Sequence, residues 1–238
     1  MSTRLQLCQR LAKEAGIVGA SNGTLPASTS AQSGEMLSVV TWIDDAYENI
    51  QSLHTDWLFL RFGFTFPTVI GTAAYIPTAA APGCALTEFQ DWQNASDDDA
   101  FTCYLTATGT TDEQAMQFVP WDEYKNTYGF ATMRTQVGRP YLYTIKPDKS
   151  LLFYPIPDAI YTVDGEYSKR PQRMTADGNE PLFPRQYHLA IMWQALMLYA
   201  GFETATTVYA HAQREYDRLI GKLQADQLPA IGWAGSLI

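Results

Sequence analysis

From Met36 to Phe62 the apolar positions hold one register: Val39, Ile43, Ala46, Ile50, Leu53, Trp57 and Leu60 fall in alternating steps of four and three. That spacing predicts a long helix with one continuous packing seam. The same register returns from Pro184 to Asp226, through Ile191, Ala195, Leu198, Phe202, Ala205, Tyr209, Ala212, Tyr216, Leu219 and Leu223. Pro184 suits the first position of a helix, where its missing N–H costs nothing. The first half of this second seam, "HLAIMWQALMLYAGF", is apolar on nearly every side and calls for burial all round, whereas the second half is amphipathic. A shorter helix opens the chain, with Leu5, Cys8, Ala12 and Ala15 in period and Gly16 as its stop. Between the first two helices, "VGASNGTLPASTSAQSG" reads as a loop or an arm, and Ser33 is the expected N-cap of the second helix, with Glu35 in its first turn.

After Gly63 the period shortens. "FTFPTVIGTAAYIPT", "FTCYLTATG", "QAMQFVPW", "RPYLYTI", "SLLFYPIP" and "AIYTVDGEY" are short runs rich in Thr, Val, Ile, Tyr and Phe, broken by Gly, Pro and Asp. They predict about six strands between roughly residues 64 and 168. "IKPDKSL" is the corner of a hairpin, "WDEYKNTYG" a single helical turn, and Pro155 and Pro157 mark the end of an edge strand. "KRPQRMTADGNEPLFP" is a connector, and "QLPAIGWAGSLI" has large apolar side chains with no period at all, so it needs a surface to lie on.

The expected fold class is therefore α+β: a bundle of long helices, an N-terminal pair plus the C-terminal helix, with an inserted antiparallel β-rich domain. Its expected divisions are a helical bundle of 1–63 and 184–225, a β-rich domain with connector of 64–183, and an extended arm of 226–238.

Composition narrows the partners. Hydrophobic residues make up 46% of the 238, ample for a buried core, and charged residues only 17%, a low share that points to surface covered by another chain. A net charge of −9 with no basic run argues against a protein that grips nucleic acid, and it suits ordinary solubility as well as it suits a passage through which DNA slides. Cys8, Cys84 and Cys103 form neither a disulfide framework nor a CxxC pair, which favours synthesis in a reducing compartment. The N-terminal stretch lacks the apolar run of a secretion signal, and no segment reaches the ~18 apolar residues of a membrane span.

Candidate chemistry thins out on inspection. "TWIDDAYENIQSLHTDWLFLR" gathers Asp44, Asp45, Glu48, His54 and Asp56, but at ~100° per residue the acids fall on a polar arc and His54 on the apolar one. No His–carboxylate dyad forms on such a helix. The acids are expected at a solvated or subunit-facing edge, and His54 in the core. Asp97, Asp98 and Asp99 lack the ligand spacing of a calcium loop, while His188 and His211 stand without a partner at metal-ligand spacing. With no nucleophile or phosphate-binding motif either, neither catalytic residue, metal nor cofactor is expected.

"WIDDAYENIQSLHTDWLFLR", "GRPYLYTI", "LLFYPIPDAIYTVDGEYSKRP" and "PLFPRQYHLAIMWQALMLYA" follow in that order, and with them the chain resembles the head-to-tail adaptor proteins of tailed bacteriophages over about residues 35 to 223. The resemblance implies a virion protein without catalysis, made in the host bacterial cytoplasm. It implies a helical bundle with a β-rich insertion, assembled as a twelve-membered homo-oligomeric ring at the neck. Portal protein would lie above it, tail or stopper or nozzle proteins below, and double-stranded DNA would pass through. On that reading the arm, with Leu228, Ile231, Trp233, Leu237 and Ile238 as anchors, orders on the portal, and Asp44, Asp45 and Glu48 face the channel or a neighbouring subunit. The alternative is an aromatic-rich β module that binds a receptor or glycan on a tail appendage.

Overall fold

A computed structural model describes residues 2–17, 25–93 and 101–229. Five α-helices and ten strands occur among them, and the described residues fall into two compact units, one of residues 2–17, 25–60 and 171–229 and one of residues 61–93 and 101–170.

The first unit is helical. α1 (Arg4–Glu14) starts on a capping box in which Thr3 and Gln6 exchange side-chain and backbone hydrogen bonds. α2 (Glu35–Ser52) is capped by Gly34, not Ser33. It ends ten residues short of the expected Phe62, because Ser52, His54, Thr55 and Asp56 are weak helix formers in succession. Trp57 and Leu60 are nevertheless fully buried, carried into the core by an irregular stretch that leads into a 3-10 turn, Leu58–Leu60, while Leu53 is left 47% exposed. The second predicted seam also breaks. α4 (Leu189–Phe202) and α5 (Thr206–Gln227) are separate helices, and between them Thr204 adopts a φ of +54°, which a helix does not tolerate. Pro184 precedes a short 3-10 turn, Arg185–Tyr187, instead of beginning an α-helix. α4 packs on α2, α1 and α5 around a core of Leu7, Leu11, Ile43, Ile50, Ile191 and Leu196.

The second unit is a curled sheet. Its strands are β1 (Arg61–Pro67), β2 (Ala74–Tyr75), β3 (Phe89–Gln93), β4 (Phe101–Leu105), β5 (Gln114–Phe118), β6 (Val137–Gly138), β7 (Leu142–Ile145), β8 (Leu151–Tyr154), β9 (Ile156–Pro157) and β10 (Tyr161–Lys169). Eight belong to one sheet ordered β1-β10-β4-β5-β7-β8-β2 with β3 also on β10, and β6 and β9 form a small pair. Pairing is mostly antiparallel, but β5–β7 and β6–β9 run parallel. β10 is the spine: it pairs with β1 along one side and with β4 and then β3 along the other. The "IKPDKSL" corner joins β7 to β8, with the Asp148 carboxylate accepting from Ser150 N and Oγ. α3 (Trp121–Thr127) follows β5.

The expected architecture, a bundle of long helices with an inserted antiparallel domain, is thus corrected. Both long helices are interrupted where β-branched, small polar or glycine residues weaken them, and the β part is a large curled sheet of mixed direction.

Candidate interaction surfaces

The polar arc of α2 has a local explanation. Asp44 is 9% exposed and accepts from Arg4 Nε at 3.0 Å and Nη2 at 2.6 Å, a bidentate pair inside the helical unit. Arg4 Nη1 also donates to Thr29 Oγ1 at 2.8 Å and to the Thr175 carbonyl at 3.2 Å. Thr29 in turn donates to Asp177, whose carboxyl is held below its usual value by those hydrogen bonds. Further along the arc the Tyr47 hydroxyl accepts from Leu182 N at 3.0 Å, and Gln51 exchanges hydrogen bonds with Gln172 at 2.8 and 3.1 Å. Asp45 and Glu48 accept from Arg173 at 2.8 and 2.6 Å at the surface. The connector, read from sequence over residues 169–184, therefore lies along this arc, and its Arg173 supplies the counter-charge of Asp45 and Glu48. Asp44, Asp45 and Glu48 pair with two arginines, which a wheel of one helix does not reveal because the arginines come from residues 4 and 173.

His54 sits beyond α2, half-buried, with Nε2 3.0 Å from Gln224 Nε2 and its ring edge-on to Trp57. His188 is buried, its Nε2 2.9 Å from the Phe183 carbonyl, and burial pushes its pKa down. His211 stacks edge-on against Trp193. No group of three metal-ligating side chains gathers among the described residues. All three cysteines are buried, and burial raises the Cys8 and Cys84 thiols to about 12, far from a reactive thiolate. Asp97, Asp98 and Asp99 lie outside the described residues, as do Ile231, Trp233, Leu237 and Ile238. Leu228 is described: it packs half-buried against the helical core, and with Pro229 it borders a recess shared with Leu53, His54 and Asp56.

Apolar surface is the notable feature of α4. Its inner side chains Ala190, Ile191, Met192, Ala195 and Leu196 are buried, yet Phe202 at its end is 72% exposed and Leu198, one turn earlier, is 38% exposed. Tyr209, on the first turn of α5, is 43% exposed, and Trp42 of α2 packs on Tyr199 and Phe202 at 5.7 and 5.9 Å between ring centroids. A shallow cavity of about 340 Å³ bordered by Ala200, Gly201, Thr204, Thr206 and Tyr209 continues this corner. Sequence reasoning marked the apolar helix but placed no break at Thr204, and the break is what turns Phe202 and Tyr209 into a surface.

In the β unit a second concavity, about 360 Å³, has walls of Trp121, Tyr124, Tyr128 and Tyr154. No carboxylate borders it, whereas Lys125, Arg134 and Lys146 do.

No helix among the described residues is long and apolar enough to cross a membrane. The profile of the SU10 adaptor protein family matches residues 2–234. No match is found among curated proteins. That family match spans nearly the whole sequence: the chain belongs to the SU10 adaptor protein family, a family of structural phage adaptors that act in the virion in association with other virion proteins.

Proposed function

We propose that this protein is a head-to-tail adaptor whose copies, twelve by the family resemblance, form a ring between the portal and tail, stopper or nozzle proteins, with the DNA passing through. The observation that carries the ring is the α4–α5 corner. A phenylalanine 72% exposed beside Leu198 and Tyr209 is apolar surface that water disfavours and that a neighbouring copy would cover. Synthesis in the host cytoplasm accords with three free cysteines. The net charge of −9 would limit adhesion of passing DNA. Of the acids first singled out, Asp45 and Glu48 lie at the surface, paired with Arg173, where a channel or neighbour can reach them, whereas Asp44 is enclosed with Arg4.

The segment 226–238 is the proposed portal-docking arm. Leu228 starts it from the helical core, and Ile231, Trp233, Leu237 and Ile238 are its anchors. A glycan-binding role has less support, since Phe64, Phe101, Tyr143 and Phe153 of the β unit are packed into its own core and the concavity walled by Trp121, Tyr124, Tyr128 and Tyr154 is bordered by three cations that a neutral sugar would leave unmatched. Electron microscopy of the protein mixed with portal tests the proposal. A ring seated on the portal is expected, lost in Phe202→Asp and undocked in the chain lacking residues 226–238. Portal that stays bare at saturating protein overturns the ring, and a truncated chain that docks normally overturns the arm.

A further inference from the structure

The tyrosine-walled concavity of the β unit has no part in the reading above. It lies between α3, the turn that follows it, and β8. Its three cations are set there by the fold. Arg134 Nε and Nη2 both donate to the Gly129 carbonyl, at 2.9 and 2.5 Å, which holds the guanidinium at the rim. Lys125 is exposed on α3, and Lys146 enters from the end of β7. None of the three has a carboxylate within ion-pair distance among the described residues, which is equally true of Lys13, Arg61, Lys169, Arg185, Arg214 and Lys222; what sets these three apart is that they border one hollow.

The rim continues as apolar surface. Phe130, Met133, Val137 and Tyr141 are 53, 44, 59 and 51% exposed. They are contiguous with the concavity: Met133 Sδ lies 3.4 Å from the Tyr154 hydroxyl, the Tyr141 ring is 6.0 Å from that of Tyr154, and Val137 pairs with Ile156, another lining residue. The result is a positive, aromatic hollow beside an apolar strip, on a chain with 25 acidic and 16 basic residues.

We propose that this surface receives an acidic, apolar-bearing surface of a second copy of this chain. The proposal rests on the ring reading, because it assigns one side of the contact between ring neighbours. Copies that each carry −9 repel one another unless cations on one meet carboxylates on the next, and here three unpaired cations gather around a hollow without an acid of its own. A ring contact is head-to-tail, so it joins two different patches of the same chain, and a positive patch on an acidic protein finds its complement on the next copy. A phosphate backbone would use the cations but not the four exposed apolar side chains, and a neutral sugar would leave the cations unmatched.

The test is cross-linking in the assembly formed on the portal from equal parts unlabelled and ¹⁵N-labelled protein. A zero-length carbodiimide reagent joins lysine amines to carboxylates in contact. Mixed-isotope peptides linking Lys125 or Lys146 to an Asp or Glu are the expected result. The triple variant Lys125→Glu, Arg134→Glu, Lys146→Glu, checked for native thermal unfolding, should need roughly tenfold or more protein to assemble, whereas Lys125→Arg with Lys146→Arg should assemble normally. If rings form but these lysines link only within a copy or to the portal, or if the triple variant assembles at unchanged concentration, the inference is overturned while the ring stands. If no ring forms on the portal, the ring reading has failed and this inference with it.

Discussion

The two units close their interiors by different means. The helical unit packs mostly aliphatic side chains, Leu7, Leu11, Val39, Ile43, Ile50, Ile191, Leu196 and Leu223, at positions that recur every three or four residues. The β unit packs aromatic ones, Phe64, Phe66, Tyr75, Trp92, Phe101, Tyr143 and Phe153, brought together by strands far apart in sequence: Arg61 of β1 faces Ser168 of β10. Its rings meet mainly edge-on or offset, with Phe64 contacting Trp92 and Phe101 at 5.1 and 5.2 Å. Local spacing therefore organises one unit and long-range pairing the other.

The largest expected effects come from removing one fully buried aromatic in each unit. Trp57→Ala and Phe101→Ala should each cost ~3–5 kcal/mol, since both side chains are wholly inaccessible and leave a large cavity. Amide hydrogen exchange read by segment checks this. Loss of protection is expected chiefly in residues 1–60 and 171–229 for the first variant and in 61–170 for the second. Equal loss across both segments in either variant would erase the distinction between two separately organised cores.

The same difference explains what was legible in the sequence. The helices were visible because a 3.6-residue period is a local property, and Ile43, Ile50, Ile191 and Leu219 lie inside as that period requires. Their ends were less visible. A seam that continues through Leu53 and Trp57 does not report that Thr55 and Asp56 have left the helix, or that Thr204 has turned the chain between α4 and α5. In the β unit the run of strands was readable from Thr, Tyr and Phe, but β3 (Phe89–Gln93) was missed, and neither the parallel β5–β7 pair nor the central place of β10 has a local signature. The surfaces were hardest of all. The cationic hollow joins Lys125, Arg134 and Lys146 across α3, a turn and a strand end, and the Arg4–Asp44 pair spans forty residues.

That pair gives the helical unit a polar lock beside its aliphatic core, and breaking it is the next largest effect. Arg4→Ala leaves Asp44 enclosed without its partner and should cost about 2–4 kcal/mol, whereas replacing both with apolar side chains of similar size should cost much less. Urea titration of the single and double variants measures the difference. If Arg4→Ala is as mild as a surface substitution, the connector along α2 is not held by this pair.

The β unit has its own tight point at Gly165 on β10. A Cβ there would overlap the Phe101 ring and come within 2.8 Å of Phe64 Cζ, so the close approach of aromatic rings to the spine strand requires glycine. Gly165→Ala should cost about 1–3 kcal/mol by overpacking, seen as a lower urea midpoint, and Phe101→Leu in the same chain should recover part of it. Strict additivity of the two would mean that the rings do not set this limit.

The smallest effect separates the units by pH. All three histidines, His54, His188 and His211, belong to the helical unit, and residues 61–170 contain none. Burial is the main cause that lowers the His188 pKa below the ordinary 6.5, with Glu180 and Arg185 acting on it in opposite directions. The unfolded chain therefore binds this proton more readily than the folded one. Above pH 6.5 the imidazole is neutral in both states and contributes no slope. As pH falls through 6.5 the helical unit loses stability, until the folded-state pKa is passed and the loss levels off. In the β unit Glu88, Asp112 and Asp148 are held below their usual values by Arg170, Arg139 and Ser150 respectively, so the stability they contribute is kept until pH falls below about 4.5. Segment-resolved hydrogen exchange, corrected for its intrinsic pH dependence, should show opening of the helical unit becoming easier between pH 7 and 5.5 while the β unit stays level. His188→Gln should reduce that slope; an unchanged slope would show that His188 does not carry it, and a matching slope in residues 61–170 would show that the two units do not respond to acid independently.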